Sequence, residues 1–140
     1  MVKIELSRLD NDLNMEAVNE LGNKVVMDGS PADGGHDKGF RPMQMLLAAM
    51  GGCSAVDVVS ILKKQRVELK DIKITVTGER EKDQTPSLYT EVHLHFKLYG
   101  NIDLEKANKA VALSVGKYCS VAKTLEKTAK VTFSVEVINS

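Results

Sequence analysis

Hydrophobic and polar residues alternate in three short runs near the N-terminus, the pattern of half-buried β-strands. The runs cover 2–6, 13–18 and 24–27, and segments that contain residues favouring turns (Asn, Asp and Gly) separate them. Alternating runs joined by short polar turns are typical of neighbouring antiparallel strands. The sequence therefore predicts a small antiparallel meander over its first 28 residues.

The apolar spacing changes to that of a helix after a loop at 28–39 that is rich in Gly, Asp and Pro. Apolar residues recur at three- and four-residue intervals from Pro42, a favoured first helical residue, and again beyond the pair Gly51-Gly52. The glycine pair predicts a break between two helical segments. The second segment is apolar on nearly all sides up to Lys63, which predicts that it is central and buried.

Two long alternating runs follow and predict a β-hairpin with its turn at 83–87. The inward-facing rows are Ile72, Ile74 and Val76 in one strand and Val92, Leu94, Phe96 and Leu98 in the other. Asp103 predicts the N-cap of a helix that continues to Tyr118, a short helix is expected over 120–127, and a last strand over 131–137. Strands grouped apart from helices indicate an α+β fold, with antiparallel sheets around a broken central helix.

Composition limits the classes of function. The chain has 140 residues, which suits a single domain over 1–140, and its 19 basic and 19 acidic residues cancel. A neutral chain with 4% aromatic residues argues against a nucleic-acid partner. The most apolar stretch, Met43 to Leu62, contains Gly and Asp and is interpreted as core rather than as a membrane span. Without a signal-peptide pattern, the expected location is the cytoplasm.

The two cysteines have similar surroundings. Cys53 follows Gly51-Gly52, Cys119 follows Lys117-Tyr118, and each comes before a serine that can begin a helix. The spacing Ser54-x-x-Asp57 has the form of a capping box, which places Cys53 at the helix entry. A thiol at a helix N-terminus has a lowered pKa, so the pair predicts redox chemistry. Two unrelated, buried core cysteines are the alternative.

The segments around both cysteines resemble a known family. The segment from Pro42 to Leu62, with Gly51-Gly52-Cys53-Ser54 at its centre, is similar to the first cysteine motif of the OsmC/Ohr family. This family comprises osmotically inducible protein C and the organic hydroperoxide resistance proteins. The segment Lys117-Tyr118-Cys119-Ser120-Val121-Ala122 is similar to its second motif. The resemblance extends over essentially the whole chain, including the order of helices and strands.

The resemblance implies a structure and an activity. It implies an intertwined homodimer in which the sheets wrap around paired central helices, with two sites at the dimer interface. It also implies a thiol peroxidase for small organic hydroperoxides in oxidative-stress defence. Cys53 is then the peroxidatic thiol, which becomes a sulfenic acid, and Cys119 resolves it to a disulfide that an external dithiol reductant reduces. No cofactor is expected.

This sequence departs from the peroxidases at one pair of residues. There a glutamate near the start of the central helix holds an arginine that stabilises the thiolate, whereas this chain has the neutral Gln44. Arg41 lies just before the helix and is a candidate cation, and Arg8 is the arginine of the N-terminal strands. Helix dipoles alone supply about 1 kcal/mol, so weak or absent peroxidase activity is expected.

The departure at Gln44 motivates two alternatives. One is a non-catalytic OsmC-like dimer with weakly reactive or inert thiols that binds a small apolar ligand or a lipid. The other is a purely structural dimer. Neither a membrane partner nor a metal is expected. His93 and His95 share one face of a strand but lack an obvious third ligand, and the loop at 28–39 lacks the spacing of a calcium loop.

Overall fold

The structure is a computed structural model that describes residues 1–139. The chain divides into two compact units, an N-terminal unit, Met1–Leu46, and a C-terminal unit, Leu47–Ser140, and the boundary falls within a helix. The expectation of a single OsmC-like domain over residues 1–140 stays a prediction. The two units are described in turn.

The N-terminal unit contains the predicted meander. Strands β1 (Glu5–Arg8), β2 (Met15–Val18) and β3 (Lys24–Met27) pair antiparallel in the order β1-β2-β3. The β2–β3 turn is held by Asn19, whose side-chain oxygen accepts N–H groups from Leu21 and Asn23. Gly22 adopts φ +86° there, a conformation that glycine adopts without strain. The predicted strand positions are confirmed to within a few residues.

The loop after β3 is organised around the buried carboxylate of Asp28. Asp28 accepts the N–H groups of Gly29, His36 and Lys38 at 2.7, 3.2 and 3.1 Å. Burial opposes ionisation of this carboxyl, but the three N–H groups and the charge of His36 outweigh burial and hold the pKa of Asp28 below its ordinary value. A short 3-10 turn, Pro31–Asp33, lies within the loop. Because Asp28 accepts three backbone N–H groups of the loop, its role is to hold the loop in this conformation.

Helix α1 (Pro42–Lys64) is one continuous helix, so the predicted break at Gly51-Gly52 is wrong. A glycine inside a helix costs only about 1 kcal/mol, and packing offsets that cost. A Cβ on Gly51 would lie 3.1 Å from the side chain of Val76, so glycine allows close packing against a strand here. The buried residues recur mainly every four positions; they are Met50, Gly51, Ser54, Val58 and Leu62.

The outer side of α1 differs from the prediction of an enclosed helix. Val56 is 70% exposed and Val59 is 42% exposed, although the sequence predicted burial on nearly all sides. By length and composition alone α1 is apolar enough to cross a membrane, a test that core helices of soluble proteins also pass. The polar Asp57 and the two glycines lie inside this helix.

The C-terminal unit contains a second three-stranded sheet in the order β4-β5-β6. Strand β4 (Asp71–Arg80) pairs antiparallel with β5 (Tyr89–Tyr99), which confirms the hairpin. Strand β6 (Lys130–Ile138) pairs parallel with β5, so the prediction of purely antiparallel sheets is wrong. The chain between β5 and β6 carries two helices, and a connection of that length can return to start a parallel strand.

The core of the C-terminal unit lies on one face of β5. The inward-facing side chains of this strand are 0–1% exposed; they are Val92, Leu94, Phe96 and Leu98. These are the residues that the alternating pattern assigned to the inner face. Buried side chains of helix α2 (Leu104–Leu113), Ala107, Ala110 and Val111, also belong to the core.

The segment after α2 approaches Cys119 through a π-helical turn. Asp103 caps α2 as predicted, because its side chain accepts the N–H of Glu105 at 2.9 Å. The predicted continuation of the α-helix to Tyr118 is wrong, since Ser114–Tyr118 forms a π-helix. It ends where the N–H of Cys119 donates to the carbonyl of Ser114 at 2.7 Å. Helix α3 (Ser120–Leu125) then leads to β6.

Candidate active site

The structure brings the two cysteines together within the C-terminal unit. The Sγ atoms of Cys53 and Cys119 and a carboxylate oxygen of Asp57 all lie within 4.8 Å of one another. Both cysteines are free thiols. Residues from α1 and from the start of α3 therefore form one cluster of two thiols and a carboxyl group.

Cys53 lies in the middle of α1, half-buried, and not at a helix entry as the sequence predicted. Because α1 is continuous, Ser54 and Asp57 do not form a capping box, and the helix dipole does not act on Cys53 as it acts at a helix end. Ser54 instead donates its hydroxyl to the sulfur of Cys119 at 3.4 Å.

Cys119 is fully buried and is the N-cap of α3, which confirms its predicted place at a helix start. Its sulfur accepts the N–H of Ala122 at 3.4 Å and lies 3.9 Å from the carbonyl oxygen of Met50. Burial raises the pKa of the Cys119 thiol; the donors Ser54 and Ala122 oppose this rise, and Cys53 adds to it. Cys119 is therefore protonated in the resting protein at neutral pH.

Asp57 and Ser114 complete the cluster. The sequence predicted Asp57 only as a helix-capping residue and indicated no role for Ser114. Asp57 is four residues after Cys53, so the two side chains share one face of α1. The hydroxyl of Ser114 lies 3.1 Å from Oδ2 of Asp57 and 3.2 Å from the carbonyl oxygen of Ser54. A hydroxyl has one hydrogen to donate, so Ser114 alternates between these two acceptors or shares its hydrogen between them. The i, i+4 spacing was the available signal for Asp57.

Arg41, Gln44 and Arg8 have partners within the N-terminal unit. The side-chain oxygen of Gln44 accepts the backbone N–H of Arg41 at 3.0 Å, which is half of a capping box at the start of α1. The guanidinium of Arg41 pairs with Asp37. Arg8 donates to the carbonyl of Asn11 at 3.4 Å. The roles of Arg41 and Gln44 in catalysis stay predictions, and helix capping accounts for Gln44.

His93 and His95 lie on the same face of β5, as predicted, and face hydroxyl groups of β6. His93 contacts Thr132 at 2.7 Å and Ser134 at 2.9 Å, and His95 contacts Ser134 at 2.6 Å. His95 also pairs with Glu136 at 3.4 Å. The parallel register of β5 and β6 accounts for this ladder of imidazole and hydroxyl groups.

The third histidine, His36, contacts Asp12 at 2.7 Å in the N-terminal unit. Oxygen atoms of Asp10 and Asp12 and a ring nitrogen of His36 lie within 4.8 Å of one another. The hydrogen bond to Asp12 raises the pKa of His36 above its ordinary value; burial opposes this rise, and the charges of the nearby aspartates support it.

The stability contribution of His36 is expected to depend on pH. Because folding raises the pKa of His36, its contribution is fully present below about pH 6.5 and is lost as pH rises through the higher folded pKa. His36→Gln should therefore lower the unfolding midpoint more at about pH 6 than at about pH 8.5. Thermal unfolding at both pH values measures this, and Asp12→Asn should give the same trend. A decrease in the unfolding midpoint of His36→Gln that is equal at both pH values contradicts this prediction.

The chain belongs to the OsmC-like protein family, whose family model matches residues 35–134 and so includes both cysteines. This match confirms the family that the two cysteine motifs indicated. Protein YhfA of Escherichia coli strain K12 is 46% identical to this chain over 119 residues, which are 84% of each sequence.

Solved structures show the same fold. A hypothetical protein from Aquifex aeolicus VF5 is 32% identical with a TM-score of 0.80, over 98% of this chain and 97% of that one. The organic hydroperoxide resistance protein OhrB of Bacillus subtilis has a TM-score of 0.68 at 20% identity, over 97% of this chain and 98% of that one. The predicted α+β, OsmC-like fold is therefore confirmed.

Proposed function

We propose that this chain is a cysteine-based, peroxidase-like protein that reduces organic hydroperoxides in oxidative-stress defence. One observation carries the proposal, namely that the sulfurs of Cys53 and Cys119 lie within 4.8 Å of each other as free thiols. Family membership and the likeness to an organic hydroperoxide resistance protein support it.

The difference in burial between the two thiols supports the roles proposed for them. Cys53 is half-buried, so a hydroperoxide can reach its sulfur, whereas Cys119 is fully enclosed. The Cys53 thiolate attacks the distal peroxide oxygen and breaks the O–O bond. Cys53 becomes a sulfenic acid, and the alkoxide leaving group takes up a proton from solvent to give the alcohol. The sulfur is oxidised and the peroxide is reduced by two electrons.

The second step forms a disulfide. The sulfur of Cys119 attacks the sulfenic sulfur of Cys53, the S–O bond breaks, and water leaves with the proton from Cys119. The carboxylate of Asp57 lies within 4.8 Å of both sulfurs and can carry that proton. An external dithiol then reduces the disulfide.

The proposed assembly is a homodimer. The exposed apolar side chains Val56 and Val59 on α1 support it, because a second chain packed there would remove them from water. The apolar groove in the N-terminal unit, lined by Leu6, Leu13, Met15 and Met27, favours the alternative of a binding protein for a small apolar ligand or a lipid. A cytoplasmic location remains part of the proposal.

Loss of the Cys53 sulfur should abolish hydroperoxide consumption. Stopped-flow assays with tert-butyl hydroperoxide and with a fatty-acid hydroperoxide compare the reduced protein with Cys53→Ser, and we expect turnover only in the former. Ala55→Ser, which adds a hydroxyl at a half-buried position of the same helix, is the matched control. Equal consumption by the protein and by Cys53→Ser contradicts the proposal. Sedimentation equilibrium of the same samples should show a dimer.

A further inference from the structure

We propose that Cys53, Asp57 and Cys119 form a binding site for a divalent cation of the zinc class. Their ligand atoms lie within 4.8 Å of one another, and they come from two separate segments of the C-terminal unit. Two sulfurs and one carboxylate oxygen form a ligand set that suits zinc, and three protein ligands leave a fourth position open.

The charges in the cluster favour a cation. Two thiols and a carboxyl group crowd a half-buried space, and in the part of the chain that the structure describes no ion pair neutralises Asp57. The groups that donate to these ligands are neutral, namely the hydroxyls of Ser54 and Ser114 and the N–H of Ala122. A divalent cation would compensate two of the three negative charges that these ligands carry once both thiols have released their protons.

The distances suit a tetrahedral ion. Zinc–sulfur bonds of about 2.3 Å place two sulfur ligands about 3.8 Å apart in a tetrahedron. The observed limit of 4.8 Å therefore requires a closure of at most about 1 Å. Cys53 and Asp57 are half-buried, so an ion can enter from their side, while the fully buried Cys119 closes the site at its base.

Neighbouring residues already orient the ligands. Ser114 lies 3.1 Å from Oδ2 of Asp57, which leaves the other carboxylate oxygen for the ion. Ser54 and the N–H of Ala122 each donate to Cys119 Sγ at 3.4 Å, which fixes the direction of its sulfur. Hydrogen bonds of this kind around a metal orient its ligands and tune its affinity.

Binding is an exchange of protons for a metal ion and needs no oxidant or reductant. Each thiol releases one proton to solvent as its sulfur bonds to zinc, and the carboxylate binds as it is. The site does not depend on the proposed peroxidase activity. The two functions would compete for the same sulfurs, so bound zinc should protect Cys53 from oxidation.

Zinc titration of the reduced, metal-free, full-length protein tests the site, in competition with a chromophoric chelator. We expect one zinc per chain and a thiolate-to-metal absorption band when cobalt replaces zinc. Cys53→Ser and Cys119→Ser should each weaken binding more than about 100-fold. Ser114→Ala should weaken it about 10- to 100-fold. Asp57→Asn should also weaken zinc binding, by at least about 10-fold. Circular dichroism verifies that each variant is folded.

The control is His36→Gln, which alters the other described cluster of metal-ligating side chains and should leave zinc affinity unchanged. Unchanged affinity in Asp57→Asn, or a loss in His36→Gln, overturns the site. If the unmodified protein does not bind zinc but consumes hydroperoxide, the cation site alone is overturned. Zinc binding that is weaker in the cysteine, Asp57 and Ser114 variants and unchanged in His36→Gln supports the site. If the unmodified protein also fails to consume hydroperoxide, only the proposed function is contradicted.

Discussion

Replacing Phe96 with alanine is expected to lower the free energy of unfolding by about 3–5 kcal/mol. Phe96 is 0% exposed in the central strand of the β4-β5-β6 sheet, where it lies opposite Ile74 and Val135. Removing its ring leaves a cavity that the two flanking strands cannot fill without breaking their register. A loss of this size is a large fraction of the stability of a typical domain.

Chemical denaturation followed by circular dichroism measures the change. Phe40→Ala is the matched control, because Phe40 is 52% exposed and its truncation should cost about 1 kcal/mol. If Phe96→Ala does not fold, Phe96→Leu should fold with a smaller loss. A loss at Phe96 no larger than that at Phe40 contradicts the assignment of this face of β5 as the core.

Oxidation of the protein by an organic hydroperoxide should link Cys53 to Cys119. The sulfurs lie within 4.8 Å and a disulfide bond is about 2.05 Å long, so the bond needs only a local shift. In Cys119→Ser the sulfenic acid has no partner, and we expect Cys53 to be oxidised further to sulfinic and sulfonic acids. Serine retains an oxygen that can accept the N–H of Ala122, so the start of α3 should persist.

Peptide mapping by mass spectrometry distinguishes these products. We expect the linked peptides in the protein and over-oxidised Cys53 in Cys119→Ser. Because burial raises the pKa of Cys119, disulfide formation should accelerate as pH rises and its thiolate form becomes populated. Over-oxidised Cys53 beside an untouched Cys119 in the unmodified protein would rule out the resolving role.

Much of the fold was predictable from the sequence because burial imposes a period on the chain. Alternation along β5 identified Phe96 and its neighbours as inward-facing, and an aspartate before an amphipathic stretch identified the start of α2 at Asp103. The direction of a strand relative to its neighbour was not predictable in this way, because the alternating pattern is the same in parallel and antiparallel pairs. The parallel pairing of β6 depends on the path of the connecting helices, which no local pattern records.

The site was predictable only in part, for a related reason. The two cysteines were identified from the sequence, but the glycine pair suggested a helix break that packing against Val76 makes unnecessary. The contact between Ser114 and Asp57 joins residues 57 positions apart, and serines are too common for such a partner to be recognised. The i, i+4 spacing places Asp57 beside Cys53, whereas the contacts that Cys119 and Ser114 make with α1 are tertiary and no local pattern records them.

The parallel pairing of β5 with β6 also has a consequence for synthesis of the chain in the cell. Helices separate β6 from β5 along the chain, so one edge of β5 stays without its partner until the chain has been synthesised through Ile138. An unpaired strand edge is a template for pairing with other chains. The nascent protein must therefore shield this edge, by the helices that precede β6 or by a chaperone, until β6 has been synthesised and has paired with it.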